Sequence, residues 1–208
     1  MSTWIRRSFT GAGLTQSPPG PHFDALRARL SGTVMLCIDV SSSMGGEPLQ
    51  RAIAGGTTFF TEAREAGYRS GLILWDHRVK EHIPADAPHE KVLATLKAAR
   101  SSGGTDLVPT LRLCKEIFAA RKGDRVLCVF GDGDVGNRDK AQRLARELCA
   151  MGVRIVVRGL GHGAQEALSA LVCPGENGEN DSAQLIEDVQ GIETGIASMA
   201  TGLIRRHD

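Results

Sequence analysis

The run Cys37-Ile38-Asp39-Val40-Ser41-Ser42-Ser43-Met44-Gly45-Gly46 sets one carboxylate and three hydroxyls between an apolar stretch and a pair of glycines. Small oxygen donors in such a run can cradle a phosphate, supply a nucleophile, line a metal shell, or simply cap a helix and shape a turn. Two other segments have the same character: Gly103-Gly104-Thr105-Asp106 and Phe130-Gly131-Asp132-Gly133-Asp134. Over Ile38–Ser43, Gly103–Asp106 and Phe130–Asp134 the polar side chains offer oxygen, and none offers nitrogen or sulfur. Hard divalent cations take oxygen ligands, whereas zinc and copper sites recruit His or Cys. The expected ion is therefore Mg²⁺, with Mn²⁺ or Ca²⁺ as the other hard cations such a shell would accept.

Competing chemistries lack their parts. No GxSxG elbow surrounds Ser41, Ser42 or Ser43, and no Walker A run occurs in the chain. A dehalogenase-like phosphatase would carry a second aspartate two residues after Asp39, where Ser41 stands. Gly159-Leu160-Gly161-His162-Gly163-Ala164 satisfies GxGxx(G/A), but a dinucleotide fingerprint belongs in the first strand-to-helix turn, which the Asp39 segment occupies. We read it as a glycine-rich loop between a strand and a helix. The histidines are isolated along the chain, with none paired at metal spacing; His77 falls in a turn, and Trp75 is a packed strand end. Asp106 stands just ahead of a helical stretch and suits a capping position. With Asp134 it stays outside the candidate ligand set.

These segments need strands and helices to hold them. Gly/Pro punctuation over residues 11–22 makes residues 1–22 a loose tail, and Phe23–Leu30 has the spacing of a short helix. Strand patterns follow at Thr33–Ile38, Ser70–Trp75, Val79–Ile83, Arg125–Phe130, Val153–Val157 and Ala183–Ile186. Helical periods occupy Glu47–Ala66, His89–Arg100, Leu107–Arg121, Lys140–Met151, Ala164–Val172 and Val189–Ile204. Strands that are apolar throughout, alternating with helices, predict a doubly wound α/β fold: a mostly parallel sheet with helices on both faces. Val79–Ile83 is short enough to hairpin back as one antiparallel edge strand. In such folds ligands gather at the carboxyl ends of strands, where the oxygen-rich segments stand.

Taken together and in this order, Asp39-x-Ser41-x-Ser43, Thr105 and Asp132 resemble the metal-ion-dependent adhesion site of von Willebrand factor type A domains of the bacterial intracellular type. The resemblance covers residues 33–204. It implies a Rossmann-like sheet in which Ser41, Ser43 and Thr105 bind a metal through hydroxyls while Asp39 and Asp132 supply charge, directly or through water. A metal held largely by neutral hydroxyls keeps much of its positive charge and favours an anionic ligand. In the family that ligand is a Glu or Asp of a partner protein. The resemblance thus implies a cation-dependent gripper of proteins, not an enzyme. Intracellular members work with AAA+ ATPases or within stress, tellurite-resistance or phage-defence clusters. The alternative is a metal-dependent enzyme, for phosphoryl transfer or hydrolysis, using the same Mg²⁺ site.

The global numbers bound the rest. A chain of 208 residues fits one domain, expected over 23–208 with its core at 33–204. Lys and Arg number 25 against 24 Asp and Glu, so no charge imbalance draws the chain to nucleic acid or an anionic membrane surface. No apolar run is long enough to span a bilayer and no apolar leader follows the start, which gives a cytoplasmic expectation. Cys37, Cys114, Cys128, Cys149 and Cys173 form an odd set without a CxxC pair, expected as buried reduced thiols. Oligomeric state is not encoded in any of these features.

Overall fold

The computed structural model describes residues 32–133, 135–174, 182–201 and 203. The expected tail, the helix at Phe23–Leu30 and Asp134 lie outside them. Six strands form one sheet: β1 (Thr33–Asp39), β2 (Arg69–Trp75), β3 (Val79–Ile83), β4 (Arg125–Gly131), β5 (Val153–Leu160) and β6 (Ala183–Ile186). Their order is β3-β2-β1-β4-β5-β6. Only β3 runs antiparallel to its neighbour, returning from β2 through the turn at residues 76–78. The doubly wound α/β fold expected from the alternation is the fold observed.

Strand pleating divides the core in two, because successive side chains face opposite sides. Val34, Leu36 and Ile38 of β1 pack with helices α1 (Glu47–Glu65), α2 (His89–Lys97) and α6 (Ile192–Thr201). Met35 and Cys37 pack on the other face with α3 (Val108–Ala119), α4 (Arg138–Ala150) and α5 (His162–Ser169). Both faces are covered, which is why β1 and β4 are buried along nearly their whole length. Contact between α1 and α6 is close: a Cβ on Gly55 would come within 2.5 Å of the Glu193 carbonyl oxygen, so the absent side chain lets the two backbones approach.

Several boundaries differ from the periodic pattern for local reasons. α2 stops at Lys97 instead of Arg100, and the Arg100 guanidinium turns back to donate to the carbonyls of Ala98 and Ala99 at 3.2 and 2.8 Å. β5 runs on to Leu160 because β6 pairs with Val157–Leu160. The last helical stretch is broken: Val189–Gly191 is a 3-10 turn in which the Asp188 carboxylate accepts from the Gly191 N–H, and α6 begins at Ile192.

The cysteine expectation needs correction. Cys149, at the end of α4, and Cys173, beyond α5, form a disulfide with a Cα–Cα distance of 5.6 Å. They lie 24 residues apart with no local motif, and only the packing of α4 and α5 beside β5 brings them together. Cys37, Cys114 and Cys128 are buried free thiols, as expected. Burial pushes the Cys128 thiol up to about 12 and that of Cys37 well above its ordinary value, which leaves both unreactive. With a disulfide present, cysteine usage no longer speaks for a reducing compartment. Among the described residues no helix is long and apolar enough to cross a membrane.

Candidate metal centre

The strand order reverses between β1 and β4. The chain leaves β1 toward β2 on one side and returns to β4 on the other, so a crevice opens at their carboxyl ends. Asp39 is the last residue of β1, and Asp132 directly follows β4.

Asp39 is fully buried. Its Oδ1 accepts the Ser41 backbone N–H at 2.7 Å, whereas Oδ2 is buried without a hydrogen-bond partner. Burial raises the Asp39 carboxyl to about 7, a shift opposed by hydrogen bonds from Ser41 and reinforced by the charge of Asp132. A buried carboxylate with an empty oxygen is costly unless a cation or proton meets it.

The remaining candidates stand around it. Ser41 is buried, and its Oγ lies 3.0 Å from Ser43 Oγ, which donates to Asp132 Oδ1 at 3.0 Å. The turn after β4 is tight against these groups: a Cβ on Gly131 would sit 3.4 Å from Asp39 Oδ2, and one on Gly133 would sit 3.8 Å from Thr105 Oγ1. The structure thus links Asp39, Ser41, Ser43 and Asp132 in one chain of contacts and sets the half-buried Thr105 beside the Asp132 turn. Asp106, two residues ahead of α3, accepts the N–H of Val108, the helix's first residue, at 3.0 Å.

Two residues that position the site escaped the sequence reading. Ser42, between the two candidate hydroxyls, ties loops together: its N–H and its Oγ both donate to the Gly103 carbonyl, at 3.1 and 2.9 Å. Asp76, at the turn after β2, is a buried acid whose Oδ1 accepts the Arg78 N–H at 2.9 Å, with His77 Nδ1 at 3.2 Å and Lys80 Nζ at 3.7 Å. Its own carbonyl accepts the Asp106 N–H at 3.0 Å, anchoring the far end of the Thr105 loop. The available signal was its place as a fourth acid at a strand end, in Trp75-Asp76-His77-Arg78.

The donor set fits a hard divalent cation: two carboxylates and three hydroxyls, with one carboxylate oxygen buried and unmatched. It does not fit a metal that needs imidazole or thiolate. Among the described residues no group of three or more His, Cys, Asp or Glu gathers at metal-holding distance, so any ion here depends on the hydroxyls.

Comparison with known proteins gives the same picture of the fold. The family model described as von Willebrand factor type A domain matches residues 34–134, a little under half of the chain. No protein of curated function matches the chain in sequence. Among solved structures, a von Willebrand factor type A protein from Catenulispora acidiphila aligns with a TM-score of 0.67 at 14% identity, over 84% of this chain and 43% of that one. The von Willebrand factor domain of the type V pili tip protein Mfa5 from Porphyromonas gingivalis aligns with 0.68 at 14%, over 86% of this chain and 98% of that one. Proximal thread matrix protein 1 from the mussel byssus, in a structure with a zinc-occupied metal-ion-dependent adhesion site, aligns with 0.62 at 13%, over 83% and 46%. This chain therefore spans less than half the length of the Catenulispora and mussel proteins. At such identities the likeness speaks for the fold alone.

Proposed function

We propose that this chain is a von Willebrand factor type A domain that grips an acidic residue of another protein through a divalent cation, Mg²⁺ by donor chemistry, held by Asp39, Ser41, Ser43, Thr105 and Asp132. The observation that carries the reading is the buried, unmatched Oδ2 of Asp39 beside the linked hydroxyls of Ser41 and Ser43. Bound there, the ion supplies a positive charge that a partner carboxylate can ligate. The protein's own residues do the rest. Asp39 and Asp132 offset part of the ion's charge, the neutral hydroxyls leave the remainder for the partner, and the bonds of Ser42 to the Gly103 carbonyl and of the Asp106 N–H to the Asp76 carbonyl keep the loops from drifting apart.

The family match and the folds of the pilus and byssus proteins support an interaction module. Work alongside an AAA+ ATPase in a bacterial stress, tellurite-resistance or defence system remains part of the proposal, as does a cytoplasmic setting. Calorimetric titration of Mg²⁺ and Mn²⁺ into wild type and Asp39→Ala tests the metal: one site in the wild type, lost in the variant, is the expected result. Equal binding by both would overturn it. Mg²⁺-dependent turnover of a phosphate ester, lost in Asp39→Ala, would instead favour the enzyme alternative.

A further inference from the structure

Edge strand β3 and the C-terminal end of α2 enclose an open groove of about 500 Å³. Its floor is Val40 and Leu74, both almost fully buried; Ala94 and Ala98 of the helix end form an exposed wall, and Lys80 and Arg100 border it. We propose that this groove extends the candidate metal centre: it seats an apolar side chain of the partner segment whose carboxylate meets the ion, with a second acidic residue of that segment on Arg100. The inference rests on the function proposed above.

Continuity is the first argument. Val40, on the groove floor, lies in the chain between Asp39 and Ser41, and its carbonyl accepts the Ser102 N–H at 2.8 Å. Lys80 donates to Ser102 Oγ, so the loop from Arg100 to Thr105 has one end on the groove and the other at the metal centre. A partner segment leaving the ion on this side crosses the groove. An extended segment advances about 3.3 Å per residue with alternate side chains on one face, so the test peptide below carries its apolar residue two positions from the acid offered to the ion.

Charge is the second argument. Lys80 faces the buried carboxylate of Asp76 and is partly neutralised, and Glu81 also borders the groove. Arg100 differs: it is exposed, donates only to the neutral carbonyls of Ala98 and Ala99, and has no carboxylate partner among the described residues. Its two carbonyl bonds hold the guanidinium in place while its charge stays uncompensated. An acid-bearing segment, already required by the ion, is the occupant that also satisfies Arg100.

The test uses the full chain labelled with ¹⁵N and the peptide acetyl-Glu-Gly-Leu-Gly-Glu-Gly-amide, titrated with Mg²⁺ and again with EDTA. We expect amide shifts at Val40, Ala94 and Ala98 together with the Asp39 and Thr105 loops. Serine in place of the peptide leucine should weaken binding about tenfold, the scale of burying one aliphatic side chain. Ala98→Gln, which fills the groove from an exposed position, and Arg100→Glu should both weaken the peptide while leaving Mg²⁺ binding by calorimetry unchanged. Shifts confined to the metal loops, with leucine and serine peptides binding alike, would overturn the groove and leave the metal reading intact. Leucine-dependent binding that is the same in EDTA would keep the groove and remove the metal from it. Absence of binding by the peptide at millimolar concentration in Mg²⁺ would overturn the proposal.

Discussion

The carboxylate of Asp76 fills the space that a side chain on Gly103 would need: a Cβ there would lie 2.6 Å from Asp76 Oδ2, and Gly103 has φ +80°. One buried acid thereby shapes the loop that carries Thr105. Gly103→Ala meets both a collision and a left-handed backbone, so we expect it to cost about 1–3 kcal/mol and to weaken Mg²⁺ binding. Asp76→Ala should weaken Mg²⁺ binding as well, by freeing the loop, although Asp76 is not a candidate ligand. Urea unfolding and calorimetry on the two variants measure both effects.

Asp39→Asn replaces a buried carboxylate with a neutral amide of the same shape. Without metal, near pH 8, the variant should be more stable than wild type by about 1–3 kcal/mol, because the charged form loses hydration that its unmatched oxygen does not recover. In Mg²⁺ the order should reverse. Urea melts in EDTA and in excess Mg²⁺ give the comparison, and a variant less stable than wild type in EDTA would contradict it.

The three serines should separate by role. Ser41→Ala combined with Ser43→Ala should abolish metal binding while preserving the circular dichroism and a cooperative melt, because both hydroxyls sit at a strand end outside the apolar core. Ser42→Ala loses the hydroxyl bond to the Gly103 carbonyl but keeps the backbone one, so it should cost about 1 kcal/mol and weaken metal binding far less than the double variant. Global unfolding of the double variant would return the loop to a purely structural role.

Thr105→Ala should weaken a partner complex without disturbing the fold. Truncating a desolvated charged contact at an interface costs about 2–5 kcal/mol, and disabling the ion that makes the contact should fall in the same range. At about 1.4 kcal/mol per tenfold, that is a loss of roughly thirtyfold to several thousandfold. Partner dissociation constants with Mg²⁺ and with EDTA, then with each surface acid of the partner changed to alanine, provide the measurement. Indifference to all of them would leave any ion structural or catalytic.

His82 offers a pH effect away from the metal. Its Nε2 is buried without a partner, and burial lowers its pKa below the ordinary 6.5. The unfolded chain therefore takes up the proton first as pH falls. The contribution of His82 is fully present above about 6.5 and is lost as pH drops through the folded value. Denaturant midpoints between about pH 7.5 and about pH 5 should fall less in His82→Gln than in wild type, after each is referred to its own value at the upper pH.

What the sequence determined by itself is the part written in short-range pattern. Short continuous apolar runs rich in β-branched residues, such as Val34–Ile38 and Val126–Phe130, read as strands buried on both faces, and helical periods between them imply a layered sheet. Even the four-residue β6 has the bounds its pattern predicts, Ala183–Ile186. The oxygen-rich segments were legible too, because each lies within a few consecutive residues at the end of an element. Tertiary structure decided what depends on which ends meet. Residues 89 apart in Ser43 and Asp132, 61 apart in Ser42 and Gly103, and 24 apart in Cys149 and Cys173 leave no periodic trace of their contacts. The contact of Asp76 with the Gly103 loop has no counterpart in the local sequence, and the groove beside Val40 exists only once α2 lies against β3. The physical reason is that local sequence sets which faces must be buried, whereas strand order and helix docking set which side chains share the space where those faces end.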